Sequence, residues 1–177
     1  LKNVSIKILD DKKLVYEDKK YTLQQIVDIL DADFEGYEAE NKLFKSLPKF
    51  GNDDDYVDSL KIPIENFLNE RANYWGRKEG FHYCTLASVN PGGIIVAPNT
   101  AASADGRRCG ETMALGNSAA PGTDKSGITS LLKSAAKADP ANGGYVTNIH
   151  VSREAFLNHK EKTVQLLKTY FDIGGLQ

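Results

Sequence analysis

A run of three carboxylates is the first place where this sequence could do chemistry. Asp53, Asp54 and Asp55 follow a Gly-Asn pair, and clustered carboxylates suit Mg²⁺ or Ca²⁺. The alternating acidic pattern and closing glutamate of an EF-hand are missing. Glycine, asparagine and aspartate also favour turns, and acidic side chains favour a helix N-terminus. We therefore predict a turn and an acidic helix start here, and no metal site.

A basic pair and a glycine-rich loop lie further along the chain. Arg107 and Arg108 follow the turn dipeptide Asp105-Gly106. An arginine fork can hold a carboxylate or phosphate, or it can tie a loop to a buried acid. The loop GNSAAPGTDKSG at 116–127 precedes a helix and could cradle an anion with its free N–H groups. It matches neither the phosphate-loop pattern nor the dinucleotide fingerprint, so nucleotide binding is disfavoured.

Cysteine and histidine give no catalytic or metal-binding pattern by spacing. Cys84 and Cys109 are not at metal-ligand spacing with His82, His150 or His159, so ordinary packed or surface histidines are expected. A catalytic triad cannot be argued from spacing alone, because its members are remote in sequence. No catalytic residue is assigned on this basis.

Helical patterns dominate the first half of the chain. Thr22 and Gln25 are spaced as a capping box for a helix ending near residue 31. A second helix is expected at 37–46. A longer one is expected from 57 to 74, with a kink or a late first turn at Pro63. Its apolar residues recur at helical spacing: Val57, Leu60, Ile64, Phe67, Leu68 and Ala72.

The second half predicts strands between helices. Residues 81–89 are rich in aromatic and β-branched side chains and predict a buried strand, and 94–97 form a second short apolar run that a turn brings close to it. Residues 145–151 alternate as a strand. Helices are expected at 126–138 and after Ser152. Helices alternating with buried strands imply an α/β fold with parallel pairing.

Composition limits the partners. The 177 residues are 41% hydrophobic and 26% charged, with a net charge of −2. No global field favours nucleic acid or an anionic membrane, and no apolar run approaches the ~20 residues of a membrane span. Two cysteines do not form a disulfide framework, so a reducing cytoplasm is predicted. The start at Leu1 and the final Gly-Gly-Leu-Gln predict a piece of a longer polypeptide.

Three segments carry a family resemblance: LPKFGNDDDYVD at 47–58, TAASADGRRCG at 100–110, and APGTDKSGITSLLKSAAKAD at 120–139. In order and approximate spacing they resemble signatures of the glycyl radical enzymes, which include pyruvate formate-lyase and related dehydratases, decarboxylases and lyases. The sequence departs from the pattern at Ala104 and Ile128, where the family usually has proline, which is typical of a divergent member.

The resemblance implies that residues 1–177 are the C-terminal portion of a pyruvate formate-lyase-like barrel domain, part of a ten-stranded α/β barrel. It implies an anaerobic enzyme that cleaves C–C, C–O, C–N or C–S bonds of a small organic substrate. An activating enzyme that uses S-adenosylmethionine would install a glycyl radical, which generates a cysteine thiyl radical. No cofactor is expected to bind this chain directly. The complete enzyme is expected to be a cytoplasmic homodimer.

Neither radical-bearing segment of the family is matched here. The family's Gly-Cys-x-Glu loop would precede residue 47, and its radical glycine would follow the terminal Gly-Gly. Cys109 falls in the Asp-Gly-Arg turn and Cys84 lacks a glutamate two residues on, so neither is expected to carry the thiyl radical. The isolated chain is therefore predicted to be inactive.

The resemblance assigns two sets of residues. One face of the 81–89 strand would line the substrate cavity, either the face of Tyr83 and Thr85 or the opposite face of His82, Cys84 and Leu86, and Asn99 and Thr100 could also reach substrate. The signature residues are expected to be structural: Asn52, Asp53, Asp58, Asp105, Gly106 and Arg107.

Two alternatives to a part of one enzyme remain open at this point. The chain could be a non-catalytic subunit that completes a split glycyl radical enzyme on a complementary subunit. It could also be an unrelated anion-binding α/β domain that uses the loop 122–127. The residues flanking this sequence in the native protein would separate the first two.

Overall fold

The fold was obtained as a computed structural model that describes residues 12–86, 92–137 and 144–175. Seven α-helices occur in this part of the chain. They are α1 (Leu23–Asp31), α2 (Glu38–Ser46), α3 (Asp55–Glu79), α4 (Gly92–Ile95), α5 (Ile128–Ala136), α6 (Arg153–Asn158) and α7 (Lys160–Asp172). A π-helical turn spans Lys12–Glu17, and a 3₁₀ turn spans Ala97–Asn99.

Local sequence signals set the helix ends. Thr22 and Gln25 form the predicted capping box at the start of α1, which ends at Asp31 as expected. The side chain of Asp54 accepts hydrogen bonds from two backbone N–H groups and caps α3. Gly80 ends α3 in the left-handed conformation, with a φ of 77°. Pro63 lies inside α3, which begins at Asp55, so the alternative of a late first turn at Pro63 is wrong.

The first hydrophobic core lies under α1 and α2. Phe34 and Phe44 are completely buried and meet edge to face, with their ring centroids 5.7 Å apart. Ala104, from the predicted turn, packs into the same cluster. The alanine that stands where the family usually has proline is therefore a core residue.

Two further hydrophobic clusters join α3, α5 and α7. Phe50, Val57 and Leu131 bring α3 and α5 together. Leu132 and Ala135 on the adjoining face of α5 pack against Tyr170 of α7. Consequently α5 lies between the long helix α3 and the C-terminal helix α7.

The strand predictions are not matched by the described residues. Residues 81–86 are irregular, and the rest of that predicted strand lies outside the described residues. The backbone N–H of Phe81 donates to the carbonyl of Gly76, 2.8 Å away, so the segment folds back on the end of α3. A strand needs a neighbouring strand for its backbone hydrogen bonds, and this segment has found a helix end instead.

Two other predicted extended runs also differ. The run 94–97 is helical, in α4 and the 3₁₀ turn. At 145–151, only Tyr145 makes a β-bridge. The chain there stays extended enough for the N–H of Asn117 to reach the carbonyl of Val146 at 2.7 Å. Within the described residues the expected sheet of the α/β fold is therefore not formed. The alternating run at 4–16 is compatible in sequence with a short strand or a helix-to-strand transition. It lies outside the described residues up to position 11, and the rest of it is in the π-helical turn Lys12–Glu17.

Candidate functional site

The loop before α3 is tied to the loop before α5 through Asn52. Its amide nitrogen donates to the carbonyls of Lys49 at 3.0 Å and Thr123 at 2.7 Å, and its amide oxygen accepts from the N–H of Ser126 at 2.9 Å. One side chain thus satisfies backbone groups on both loops. The glycine-rich loop would need the N–H of Ser126 to hold an anion, and Asn52 already accepts that N–H.

A cluster of charges connects the same loop to α5 and its C-terminal end. Lys137 Nζ lies 2.8 Å from Asp53, 2.7 Å from Asp55 and 2.8 Å from Asp58. Asp53 also pairs with Lys133 at 3.1 Å, and hydrogen bonds from Lys137 and then Lys133 lower its pKa. Burial alone would lower the pKa of Lys137, but its hydrogen bonds to the three carboxylates outweigh burial and raise it. The predicted acidic turn is an ion-pair cluster.

Asp58 is the buried member of this cluster. Its carboxylate is 2% exposed and accepts a hydrogen bond from the hydroxyl of Ser134 at 2.9 Å. The same hydroxyl accepts the backbone N–H of Asp53 at 2.9 Å. The Asp58 carboxylate and the Asp53 backbone N–H therefore both bind one serine on α5.

The Asp105–Arg107 turn is held by its arginine. The guanidinium of Arg107 donates to the carbonyl of Arg108 at 3.0 Å and that of Glu111 at 3.1 Å, and also to the carbonyl of Ala101. Its Nε donates to the Ser103 hydroxyl at 3.2 Å. Arg107 therefore ties the loop to itself through backbone carbonyls, where the sequence left open a carboxylate, a phosphate or a buried acid.

The turn also packs tightly on α2. Gly106 has a φ of 88°, and a Cβ placed on it would lie 2.9 Å from the backbone nitrogen of Lys45. Its carbonyl accepts a hydrogen bond from the buried amide of Asn41 at 2.8 Å. Only glycine fits both the conformation and the close approach.

Arg108 points the opposite way along the same loop. It donates to the carbonyl of Asp33 at 2.8 Å, beyond the end of α1. The neighbouring N–H of Cys109 donates to the Asp33 carboxylate at 2.6 Å. The thiol of Cys109 is exposed and lies 3.8 Å from the carbonyl of Pro98.

A cleft of about 760 Å³ lies between the three signature loops. Asn52, Asp105 and Arg107 lie along its wall with Lys45, Lys49, Asp54, Glu111 and Lys125. Positive and negative side chains alternate there, and the amine of Lys49 donates to the carbonyl of Phe44 at 2.7 Å. Since Arg107 and Lys49 already bind carbonyls, the wall is braced from within rather than presenting a ring of free cations.

The four predicted substrate-lining residues lie on two separate segments. Tyr83 is 43% exposed and stacks on Phe81, with ring centroids 6.0 Å apart. Thr85 is partly buried and donates from its hydroxyl to the side-chain oxygen of Asn69 on α3. Asn99 ends the 3₁₀ turn and is exposed, while Thr100 caps that turn through its hydroxyl, 2.8 Å from the carbonyl of Val96. The cleft and these residues are therefore different features of the surface.

Sequence reasoning missed a stripe of buried polar residues on α3. Asp58, Lys61, Glu65 and Asn69 recur at helical spacing and are each 5% exposed or less. Phe67, which the apolar pattern placed on the buried face, is 59% exposed. These polar residues recur with the same helical period as the apolar ones, and that recurrence was the signal available in the sequence.

Lys61 is the centre of this polar stripe. Its Nζ lies 3.2 Å from Glu65 and 3.1 Å from the side-chain oxygen of Asn117, which is completely buried. The rings of Phe50 and Tyr145 lie 5.2 and 5.3 Å from the same nitrogen. Burial lowers the pKa of Lys61, and the attraction of Glu65 opposes that shift.

The described residues contain neither a membrane-spanning helix nor a group of side chains placed to hold a metal. In residues 12–86, 92–137 and 144–175, no helix has the length and apolar character needed to cross a membrane. The same ranges contain no group of three or more histidine, cysteine or acidic side chains placed to hold a metal ion.

Comparisons with known proteins identify the family. Residues 12–88 match the family model described as pyruvate formate lyase-like. The chain is 36% identical over 127 residues to isethionate sulfite-lyase of Bilophila wadsworthia, covering 70% of this chain and 15% of that protein. It is 33% identical over 168 residues to trans-4-hydroxy-L-proline dehydratase of Clostridioides difficile, covering 91% of this chain and 21% of that protein.

A solved structure matches nearly the whole chain. The glycerol-bound B12-independent glycerol dehydratase of Clostridium butyricum superposes with a TM-score of 0.88 at 28% identity, over 99% of this chain and 23% of that one. The chain thus spans between 15% and 23% of the length of these three relatives. Its fold is that of the corresponding part of such an enzyme, and the chain belongs to the pyruvate formate-lyase-like family of glycyl radical enzymes.

Proposed function

We propose that this chain forms the late part of the catalytic barrel of an enzyme that cleaves C–C, C–O, C–N or C–S bonds of a small organic substrate by radical chemistry. The superposition over 99% of the chain on glycerol dehydratase carries the proposal. The contacts of the three signature segments support it, because each segment has a structural task. Asn52 and Asp58 tie the first segment to the third, and Arg107 holds the second together.

The chain's own residues hold the wall and do not carry the radical. A glycyl radical outside residues 1–177, installed by an activating enzyme that uses S-adenosylmethionine, would abstract the hydrogen atom of a cysteine thiol that also lies outside them. That cysteine would then carry the thiyl radical. Cys84 and Cys109 are both exposed, and the sequence places neither in the family's cysteine loop. Asn52, Asp53 and Asp58 tie the first signature loop to the third. Asp105, Gly106 and Arg107 hold the second loop and place it against α2.

Substrate contact is assigned to two segments, the one that follows α3 and the one that follows α4. Tyr83 and Thr85 follow the end of the helix, and Asn99 and Thr100 follow α4. Their hydroxyl and amide groups suit a small polar substrate. In the complete enzyme, residues 81–86 would pair with neighbouring strands of a ten-stranded barrel, in a cytoplasmic homodimer.

The test starts from the native protein, purified without oxygen and treated with its activating enzyme. A glycyl radical detected by electron paramagnetic resonance, with bond cleavage that requires it, supports the proposal. The isolated 177-residue chain should give neither signal. Thiyl-dependent turnover by that chain alone would contradict it.

A split enzyme is the second candidate, because a complementary subunit would cover exposed apolar side chains. Phe81, Leu86 and Ile95 are 64%, 62% and 70% exposed, which suits a surface covered by further polypeptide. The mass of the native protein decides. A single longer polypeptide supports one enzyme, whereas a tight complex of this chain with a complementary subunit supports the split form.

The third alternative, an unrelated anion-binding domain, is wrong because the chain belongs to the glycyl radical enzymes. The loop geometry agrees with that correction. The N–H of Ser126 is bound to Asn52, and the N–H of Thr123 donates to the carbonyl of Ala120 at 3.1 Å.

A further inference from the structure

Helix α3 buries charged and amide side chains and exposes large aromatic ones. Asp58, Lys61 and Asn69 are 2%, 3% and 5% exposed, while Phe67 and Trp75 on the same helix are 59% and 48% exposed. Buried charges are costly unless they are paired and hydrogen-bonded. The buried polar stripe from Asp58 to Asn69 is about 17 Å long, at a rise of 1.5 Å per residue. Its burial therefore calls for a physical explanation.

The stripe is made of three hydrogen-bonded pieces. At its outer end the exposed Asp55 and the buried Asp58 share Lys137, at 2.7 and 2.8 Å. In the middle, Lys61 is bonded to Glu65 at 3.2 Å. At the inner end Asn69 accepts the hydroxyl proton of Thr85.

There are two gaps in the hydrogen bonding along the stripe, one before Lys61 and one before Asn69. At each gap a buried polar atom has no hydrogen-bond partner among the described residues. Asp58 Oδ1 is buried and unpartnered next to the gap before Lys61. Asn69 Nδ2 is buried and unpartnered next to the gap after Glu65. Buried polar atoms in folded proteins are almost always satisfied by protein or by ordered water.

Further unpartnered atoms lie beside the middle of the stripe. Asn117 binds Lys61 through its oxygen, but its Nδ2 is buried without a partner, as is Thr147 Oγ1. The backbone bond from Asn117 to Val146 brings the Thr147 segment next to the same place. Acceptors and donors are both present, a hydroxyl among them.

We propose that bound water molecules fill the two gaps and join Asp58, Lys61, Glu65 and Asn69 into a continuous hydrated path through the wall, from the Lys137 cluster at the surface to Thr85. Water is the ligand that fits, because Asp58 Oδ1 requires a donor and Asn69 Nδ2 requires an acceptor. A cation would serve only the first, and it would lie close to the ammonium of Lys61. A buried water typically makes about three hydrogen bonds, which these groups can supply.

The end of the path at Thr85 gives the path a function. The opening of the path into a substrate cavity at Thr85 rests on the proposed function, whereas the water sites along α3 do not. A hydrated path would let protons or water pass between the cavity and the surface without opening the wall.

The test is a crystal structure of the native protein at a resolution that shows ordered water. We expect a water within hydrogen-bond distance of Asp58 Oδ1 and another near Asn69 Nδ2, both sealed from bulk solvent. Asn69→Leu should remove the inner water peak completely. Asn66→Leu, the same substitution on the exposed side of α3, should leave both peaks in place.

The wild-type structure alone decides if Asn69→Leu does not fold. Dry gaps, or gaps in which protein groups from outside these residues partner both atoms, would overturn the path. Water at both sites in a protein that forms no glycyl radical would support the path and count against the proposed function, so the two failures are distinguishable.

Discussion

The ammonium of Lys137 lies 2.8 Å from the carboxylate of Asp58, although 79 positions separate the two residues in sequence. The contact joins the first signature loop to the end of the third signature segment, and Asp58 is its buried member at 2% exposed. Segments that resemble family signatures separately in sequence therefore meet in one ion cluster.

Asp58→Asn tests this contact. The change removes the charge that faces Lys137 while keeping the size of the side chain, and hydrogen bonds to charged groups are worth ~1.5–3 kcal/mol. We expect the free energy of unfolding to fall by about 2 kcal/mol, measured by urea denaturation of the native protein. Asp55→Asn is the matched control, because Asp55 is 95% exposed and exposed pairs contribute little. Equal losses in the two variants would contradict the role of burial.

The same cluster predicts how stability depends on pH. Asp53 has a lowered pKa in the folded state, so its contribution is present above the unfolded value, about 4, and is lost as the pH falls through the folded value. Lys137 has a raised pKa, so its contribution is present below about 10.4 and is lost as the pH rises through the folded value.

Lys137→Met should therefore weaken the pH dependence of folding stability at both acidic and alkaline pH. Asp53 loses its largest partner, and the ammonium that titrates at alkaline pH is gone. Thermal unfolding followed across the pH range measures this. Lys162→Met, at an exposed position of α7, is the control and should keep the wild-type profile. An unchanged profile in Lys137→Met would contradict the assignment.

Local signals in the sequence were sufficient for the start of α1 and for placing Pro63 within a helix, although they missed α4. Thr22 and Gln25 predicted the capping box of α1, because a cap involves only residues within one turn. Pro63 was correctly placed within α3. These features depend on neighbours in sequence, and the structure reproduces them.

Features that depend on distant partners were harder to predict. The aromatic run 81–89 predicts a strand, but a strand also requires a partner, and residues 81–86 lie against the end of α3 instead. The buried face of α3 was assigned to apolar residues such as Phe67, although Lys61 is the buried one. Its partner Asn117 lies 56 positions away, and spacing within the helix cannot reveal it.

Lys61 and Glu65 can be tested as a pair. Removing one member of a buried ion pair is strongly destabilising, so Lys61→Met should cost about 3–5 kcal/mol of unfolding free energy. Lys61→Met combined with Glu65→Leu should cost much less, within about 1 kcal/mol of wild type, because a well-packed apolar pair often replaces a buried ion pair without loss. A double-mutant cycle by denaturant unfolding measures the coupling. Additive losses would show that the two side chains act independently.

Gly106→Ala tests the contact between the second signature turn and α2. The new Cβ would lie 2.6 Å from Lys45 Cγ and 2.9 Å from its backbone nitrogen, so the turn must move. We expect a loss of about 3 kcal/mol, from left-handed strain together with overpacking. Gly110→Ala shares the left-handed conformation but has open space around it, and it should lose only about 1 kcal/mol. Similar losses in both variants would show that the close approach to Lys45 is unimportant.

Arg107 provides the last test, because it distinguishes a bracing role from a substrate-binding one. Its guanidinium binds the carbonyls of Ala101, Arg108 and Glu111, and a lysine ammonium cannot reproduce that planar fork. Arg107→Lys should therefore lower the unfolding free energy by about 3 kcal/mol, whereas Arg153→Lys at an exposed helix start should change it by less than about 0.5 kcal/mol. In the activated native enzyme, the fraction that remains folded should keep a nearly normal KM, since the guanidinium is occupied by backbone carbonyls. A large rise in KM without loss of stability would contradict the bracing role and assign Arg107 to the substrate.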